Sequence, residues 1–439
     1  MVKKKGKSIK QSYRLSYKPG DVVRISLSSG EEIKAIIMPC DEKNFLLVKL
    51  DSGYNVGIAK EAIKNIEKIG KTQLEKFPEA KIESKAEKNI VVIIAGGTIS
   101  SRVDYTTGAV SSLMKPENLL FLVPELSNIA NIKIDFAFSV LSENINAEHW
   151  KILAKKVEKW LNDESIHGII ITHGTDTLHY TSSALSFMLK NVNKPIVITY
   201  AQRSSDRPST DAILNLKASA YVALSDIAEV VVVGHGSIED KFCYVLRGTK
   251  VRKMHTSRRD TFRPINALPI AKVFDDGRIE IMSEYKHKGS VKEKPYADIN
   301  LEEKVALIKF YPNSDPSILD FYANKGYKGI IIEATGMGHV CVDGKKSWLE
   351  KIKKYSKKIL ICFAPQTLYG SLNPYVYATA RKLQEAGVVF LKDILPETAF
   401  VKLSYVLGKT KDLEKAKTLM LENLANEFSE RETPEMFLY

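Results

Sequence analysis

The sequence predicts an α/β fold: a two-domain, parallel-sheet protein preceded by a small all-β barrel. Three observations predict it. From residue 89 onward, short apolar runs alternate with amphipathic stretches. Ahead of residue 72, strand-sized runs are separated by Gly, Ser, Asp and Asn turns. Between the two lies a stretch rich in Lys and Glu with no strand pattern.

Residues 1–72 read as a basic tail followed by a barrel of SH3/Sm-like type. The first 18 residues hold seven basic side chains and no acidic one. No apolar run follows them, so a secretory leader is not expected. Val22–Leu27, Glu32–Ile37, Phe45–Leu50 and Tyr54–Ile58 are the expected barrel strands. This module holds no catalytic cluster. Its expected role is binding or docking, or passive stabilisation. Residues 73–88 are the linker.

Residues 89–285 form the larger expected α/β domain. Ile90–Ala95, Gly168–Thr172, Pro195–Tyr200 and Glu229–Val233 are continuously apolar, as strands buried on both faces must be. Trp150, Leu153, Val157, Trp160 and Leu161 mark one helix face, and Ala184, Leu185, Met188 and Leu189 another. The rhythm breaks between Asp275 and Glu303. Residues 303–439 form the smaller domain and tail, with strands Gly329–Ile332, Ile359–Phe363 and Val388–Leu391 and a helix face of Val376, Ala380, Leu383 and Ala386. From Lys409 the tail reads as largely helical until Pro434.

Composition excludes several classes. Hydrophobic residues make up 44% and charged residues 27% of the chain, which fits a globular core and not a disordered protein. No apolar run approaches the roughly 18 residues of a membrane helix, so no membrane partner is expected. The four cysteines are scattered, without C-x-x-C spacing. A disulfide scaffold or zinc site is therefore not expected, and a cytoplasmic location is. The net charge of +13 permits an RNA or other anionic partner. A solvated, lysine-rich surface accounts for it equally.

In open α/β sheets, ligands bind beyond the carboxyl ends of the strands. Four such ends run into loops rich in glycine and hydroxyls: Gly96-Gly97-Thr98, Thr172-His173-Gly174-Thr175-Asp176, Tyr200-Ala201-Gln202-Arg203 and Gly234-His235-Gly236-Ser237. Their N–H groups suit a phosphate or a developing oxyanion. The nucleotide reading fails, because neither G-x-G-x-x-G nor G-x-x-x-x-G-K-[ST] occurs. Acyl transfer fits better. Thr98 and Thr175 follow glycines at strand ends, and Asp176 adjoins Thr175. A threonine hydroxyl needs a base to take its proton. A lysine oriented by a carboxylate can serve, but the pattern does not choose among the many lysines. His173 reads better as a structural hydrogen-bonding group than as a base.

Ala95-Gly96-Gly97-Thr98-Ile99 and Ile171-Thr172-His173-Gly174-Thr175-Asp176-Thr177 resemble the two signatures of the bacterial-type (type I/II) L-asparaginase family. Their order and their separation of about 75 residues agree as well. The resemblance covers roughly residues 89–430. It implies that Thr98 is the primary nucleophile and that Thr175, Asp176 and a lysine are also catalytic. Gly248-Thr249-Lys250-Val251-Arg252-Lys253 is similar to the lysine segment and selects Lys253. Tyr105 matches a loop tyrosine expected to close a lid over the substrate. Ser142-Glu143 matches a Ser-Gln pair that holds the substrate's α-amino and α-carboxylate groups.

Three features resemble a narrower branch, the D subunits (GatD) of archaeal glutamyl-tRNA(Gln) amidotransferases. They are the barrel ahead of residue 72, the segment Ala201-Gln202-Arg203-Ser204-Ser205-Asp206-Arg207-Pro208-Ser209, and Phe428-Ser429-Glu430-Arg431. The resemblance implies a glutaminase that supplies ammonia to a partner, GatE. That partner binds Glu-tRNA(Gln), activates it with ATP and Mg, and forms Gln-tRNA(Gln). No cofactor or metal is expected on this chain. A homodimer of GatD chains holding two GatE chains is implied. The competing readings are a free cytoplasmic L-asparaginase/glutaminase and a non-catalytic RNA-binding module.

Overall fold

A computed structural model describes residues 17–40, 44–52, 54–71, 86–97, 102–103, 110–111, 123–204 and 209–437. They fall into two units, an N-terminal module and a much larger α/β unit.

The N-terminal module is a five-stranded antiparallel sheet: β1 (Asp21–Leu27), β2 (Glu32–Ile37), β3 (Phe45–Leu50), β4 (Asn55–Ala59) and β5 (Ile63–Lys71), in the order β4-β3-β2-β1-β5. Alternate residues face one core made of Val23, Ile25, Ala35, Ile37, Leu46, Val48 and Ile58. β5 is not among the expected strands, since Ile63, Ile66 and Ile69 recur every three residues. Its pairing with β1 explains this. Register shifts at Val22/Val23 and Ser26/Leu27 insert extra residues into β5 and break its alternation. Asp21 is buried, with Lys68 Nζ 2.6 Å away, and that contact holds its carboxyl below the usual range.

Arg102–Val103 and Val110–Ser111 form a two-stranded pair that groups with the N-terminal module and not with the α/β unit. The α/β unit starts with β6 (Asn89–Ile94). Then come β7 (Asn131–Phe136), α1 (Ala147–Leu161), β8 (Ile166–Thr172), α2 (Leu178–Met188), β9 (Ile196–Thr199), α3 (Ala212–Leu224), β10 (Val230–His235) and β11 (Phe242–Arg247). β12 (Val251–Lys253) and β13 (Phe262–Pro264) form a hairpin, and β14 (Ala271–Phe274) and β15 (Ile279–Ile281) follow. The sheet order is β15-β14-β11-β10-β9-β8-β6-β7. β6 through β10 are parallel, whereas β11, β14 and β15 add an antiparallel edge. The parallel strands are those expected from the sequence, and the antiparallel edge adds to them. β10 and β11 are joined by a short turn, which allows only an antiparallel return.

Helices cover both faces. Leu153, Val157, Leu161, Leu185 and Phe187 pack on one, and Leu216 and Val222 of α3 on the other. Asn146 caps α1: its side chain accepts from the N–H groups of Glu148 and His149, and the His149 ring reaches back to the Asn146 N–H.

The smaller domain has a four-stranded parallel sheet of β16 (Val305–Lys309), β17 (Gly329–Ala334), β18 (Leu360–Pro365) and β19 (Val389–Phe390). Its helices are α4 (Ile318–Asn324), α5 (Leu349–Tyr355), α6 (Ala378–Glu385), α7 (Pro396–Lys409) and α8 (Leu413–Leu421). Val376 precedes α6 and is exposed, so it does not share the buried face of Ala380 and Leu383. α7 is buried along nearly its whole length. It joins the two domains: Phe187 of α2 stacks on Tyr405 of α7 with ring centroids 6.1 Å apart. Truncating a fully buried contact such as Leu403 to Ala would cost about 2–5 kcal/mol.

The tail is helical only to Leu421, not to Pro434. Asn426 adopts φ +56°. The Glu427 carboxylate accepts the N–H groups of Leu424 and Ala425 and lies 2.5 Å from Lys402 Nζ, with both side chains fully buried. That buried pair holds the tail in a loop against α7. No helix among the described residues is long and apolar enough to cross a membrane.

Candidate active site

The topology selects one crevice. From β6 the chain moves to β7 on one side and then returns through α1 to β8 on the other. The ends of β6 and β8 therefore diverge at a switch point, where open α/β sheets place ligands. Register aligns Ile94, Thr172, Thr199 and Val233 in one row. All four glycine- and hydroxyl-bearing loops leave from that edge.

The loops after β6, β7 and β8 are packed backbone to backbone. Gly97 has φ +91°, and a Cβ there would lie 2.5 Å from the carbonyl of His173. A Cβ on Gly174 would lie 2.8 Å from the Ser142 side chain. Only glycine fits at either position without moving the loop.

Thr175 and Asp176 precede α2, whose N-terminus favours negative charge. Ser142 lies in a short 3-10 turn and fixes this loop. Its Oγ accepts the Asp176 N–H at 3.2 Å, and its carbonyl accepts the Thr177 hydroxyl at 2.6 Å. Lys253 ends β12 and reaches across from the hairpin. Its Nζ donates to Thr175 Oγ1 at 2.8 Å and to Asp176 Oδ1 at 2.7 Å. The Lys253 side chain is 12% exposed and that of Asp176 63% exposed, so the cluster opens to solvent on the carboxylate side.

The two basic neighbours of Lys253 are engaged elsewhere. Lys250 Nζ is 2.6 Å from Asp393 Oδ2, with both side chains 3% exposed. Arg252 is 2.8 Å from Glu397 Oε1. Two ion pairs to the smaller domain thus fasten the strand that presents Lys253. Burial pushes the Lys250 amine down and the Glu397 carboxyl up.

His173 is fully buried, with Nδ1 2.6 Å from the Gly174 carbonyl. Burial lowers its pKa to about 4. His179 is lowered to about 3 by burial, with Arg252 and Lys253 adding repulsion. Both rings are neutral near pH 7. Glu143 is exposed beside Ser142. Thr98 and Tyr105 lie outside the described residues. Asp393 and Glu397 were missed in the sequence. The available signal was a carboxylate at the start of the otherwise apolar α7, where burial demands a partner.

Solved L-asparaginases share this fold. That of Thermococcus kodakarensis superposes with a TM-score of 0.70 at 29% identity, covering 78% of this chain and all of its own. L-asparaginase I of Vibrio cholerae gives 0.68 at 25% identity, again covering 78% of this chain and all of its own. Residues 89–287 match the family model described as asparaginase, N-terminal, and residues 304–420 the glutaminase/asparaginase C-terminal domain. The class is therefore an asparaginase-type amidohydrolase.

Residues 17–69 match a further model, the GatD N-terminal domain. The D subunit of glutamyl-tRNA(Gln) amidotransferase from Pyrococcus furiosus is 47% identical over 429 residues, which is 95% of this chain and 97% of the relative. The corresponding D subunit from Sulfolobus acidocaldarius is 43% identical over 95% of this chain and 93% of the relative. The chain belongs to the D-subunit family of glutamyl-tRNA(Gln) amidotransferases.

Proposed function

We propose that this chain is the glutaminase component of a tRNA-dependent amidotransferase. It hydrolyses the side-chain amide of glutamine and delivers ammonia for conversion of Glu-tRNA(Gln) to Gln-tRNA(Gln). The observation that carries the chemistry is Lys253 Nζ, within hydrogen-bond distance of both Thr175 Oγ1 and Asp176 Oδ1 at the switch point. The family-specific module at residues 17–69 favours membership of a complex over a free cytoplasmic asparaginase.

In the proposed reaction Thr98 attacks the amide carbon. In its neutral form the Lys253 amine, oriented by Asp176, receives a hydroxyl proton within the threonine cluster and is the source of the proton later given to the leaving nitrogen. N–H groups of the 97 and 175 loops face the developing oxyanion. The leaving nitrogen takes a proton and departs as ammonia. Water then cleaves the acyl-enzyme, releasing glutamate and restoring the threonine. Tyr105 closes over the site. Ser142 and Glu143 hold the α-substituents of the substrate, with Glu143 suited to the ammonium end. No metal or cofactor enters these steps. ATP and Mg act on the partner, GatE, which carries the tRNA. A cytoplasmic heterotetramer built on a GatD homodimer completes the reading.

Thr175→Val or Lys253→Ala in the purified complex should lower glutamine-dependent amidation by about 10²–10⁴-fold. Amidation fed with ammonium chloride should persist. Loss of both activities in a folded complex would overturn the division of labour.

A further inference from the structure

The active-site crevice lies beyond the carboxyl ends of the parallel strands. A second cavity of about 200 Å³ lies at their other end. Ala228 and Glu229 lead into β10 there, and Lys190 and Val192 precede β9. The tail residues Asn423–Asn426 form the facing wall. Nothing in the proposed glutamine chemistry uses this cavity.

Its charges are unbalanced. Lys190, Arg247 and Lys286 line it against one carboxylate, Glu229. That carboxylate is spoken for. It takes Arg247 Nε at 2.8 Å, Arg247 Nη2 at 3.2 Å and the Lys286 backbone N–H at 2.7 Å. Arg247 is satisfied in turn by Glu229 and the Glu284 carbonyl. Two ammonium groups, Lys190 and Lys286, remain with no side-chain hydrogen bond to an acceptor among the described residues. Lys190 Nζ sits 4.7 Å above the Tyr405 ring. The carboxylates near it are engaged too: Asp298 holds Lys409 at 2.5 Å and Glu427 holds Lys402 at 2.5 Å.

We infer that this cavity is a binding site for a small phosphate-type dianion, held by Lys190 and Lys286 and walled by the tail residues Asn423–Asn426. A dianion matches the surplus of two positive charges, whereas a monocarboxylate leaves one cation uncompensated. The volume suits one phosphate group with its remaining water and is small for a drug-sized ligand, which needs roughly 300 Å³ or more. Burial and the neighbouring Lys409 lower the Lys190 pKa to about 8, and burial lowers that of Lys286. An anion in the cavity would reverse both shifts.

The test is thermal unfolding and calorimetric titration of the full chain with inorganic phosphate, at constant ionic strength held with chloride. Phosphate should raise Tm of the unaltered protein and titrate to one site per chain. Lys190→Met with Lys286→Met should weaken phosphate binding about tenfold or more. Without phosphate, the same double variant should unfold at the same temperature or higher, because it removes two poorly compensated cations. Single Lys286→Met, on the more exposed side, guards against a packing defect at position 190 and should show a smaller loss of the same sign. A phosphate response that is equal in the unaltered and double-variant proteins, or absent from both, overturns the site.

Discussion

Lys250 and Lys253 stand three residues apart in one segment, and each faces an aspartate at nearly the same distance, 2.6 and 2.7 Å. Their surroundings differ. The Lys250–Asp393 pair is sealed between the two α/β domains, and the Ser429 N–H also donates to Asp393 at 3.2 Å. The Lys253–Asp176 pair is open on the carboxylate side and shares its ammonium with a threonine hydroxyl. A pair that nothing can reach serves as a strut. A pair that a substrate can reach, with a hydroxyl bonded to the same nitrogen, can move a proton. Residue type and ion-pair geometry do not separate the two; access and the third partner do.

The largest break in this comparison is Lys253→Ala. It should remove glutamine hydrolysis while leaving Tm within a few degrees, because the carboxylate it leaves behind is 63% exposed and can be solvated. Rates and melting curves on one preparation check both halves. Asp393→Ala should do the reverse in stability. It strands a buried ammonium, at a cost of about 3–5 kcal/mol by denaturant titration. Lys250→Met together with Asp393→Leu should recover much of that loss, and a double variant no better than the single would show that packing, not charge, dominates there.

The buried histidines beside the open pair give a smaller, graded effect. Their folded pKa values lie near 4 and 3, below the usual 6.5. As pH falls below 6.5 the unfolded chain takes up these protons first. The stability they supply is therefore complete above pH 6.5 and is lost as pH drops toward 4. Each contributes a slope of up to about 1.4 kcal/mol per pH unit in that window. His179→Gln should flatten the acid limb of the stability profile, and an unchanged limb would reassign the slope to carboxylates. The smallest effect is expected at Lys155, 2.9 Å from Glu158 on the surface of α1. Lys155→Ala should change stability by no more than about 0.5 kcal/mol.

The sequence made the glycine- and hydroxyl-rich strand ends legible, because close loop packing and a reactive hydroxyl restrict residue choice severely. Thr175, Asp176 and Lys253 come together from positions 78 residues apart or less. Three things were hidden for physical reasons. β7 reads Asn-Ile-Lys-Ile-Asp-Phe, the alternation of a sheet edge, and a search for continuous apolar runs passes over it. The bulges in β5 scramble its period. Asp393 and Glu397 are ordinary carboxylates in sequence, and only the fold gives them Lys250 and Arg252. The roles of Thr98, Tyr105, Ser142 and Glu143 rest on the family resemblance.

The tail that closes on α7 also sets a schedule. Thr249 bonds the Ala425 carbonyl across 176 residues, and Lys250 finds Asp393 across 143. At roughly 5–20 residues per second on the ribosome, about 10–35 seconds separate the synthesis of Thr249 from that of its partner. Through that interval the nascent large domain holds the Lys253 strand without its anchors. A growing chain stalled before residue 393 would carry the whole β6–β15 sheet yet lack both fastenings of that strand. Synthesis of Asp393 and Glu397, followed by the tail loop that bonds Thr249, is thus the step that turns an assembled sheet into an assembled site.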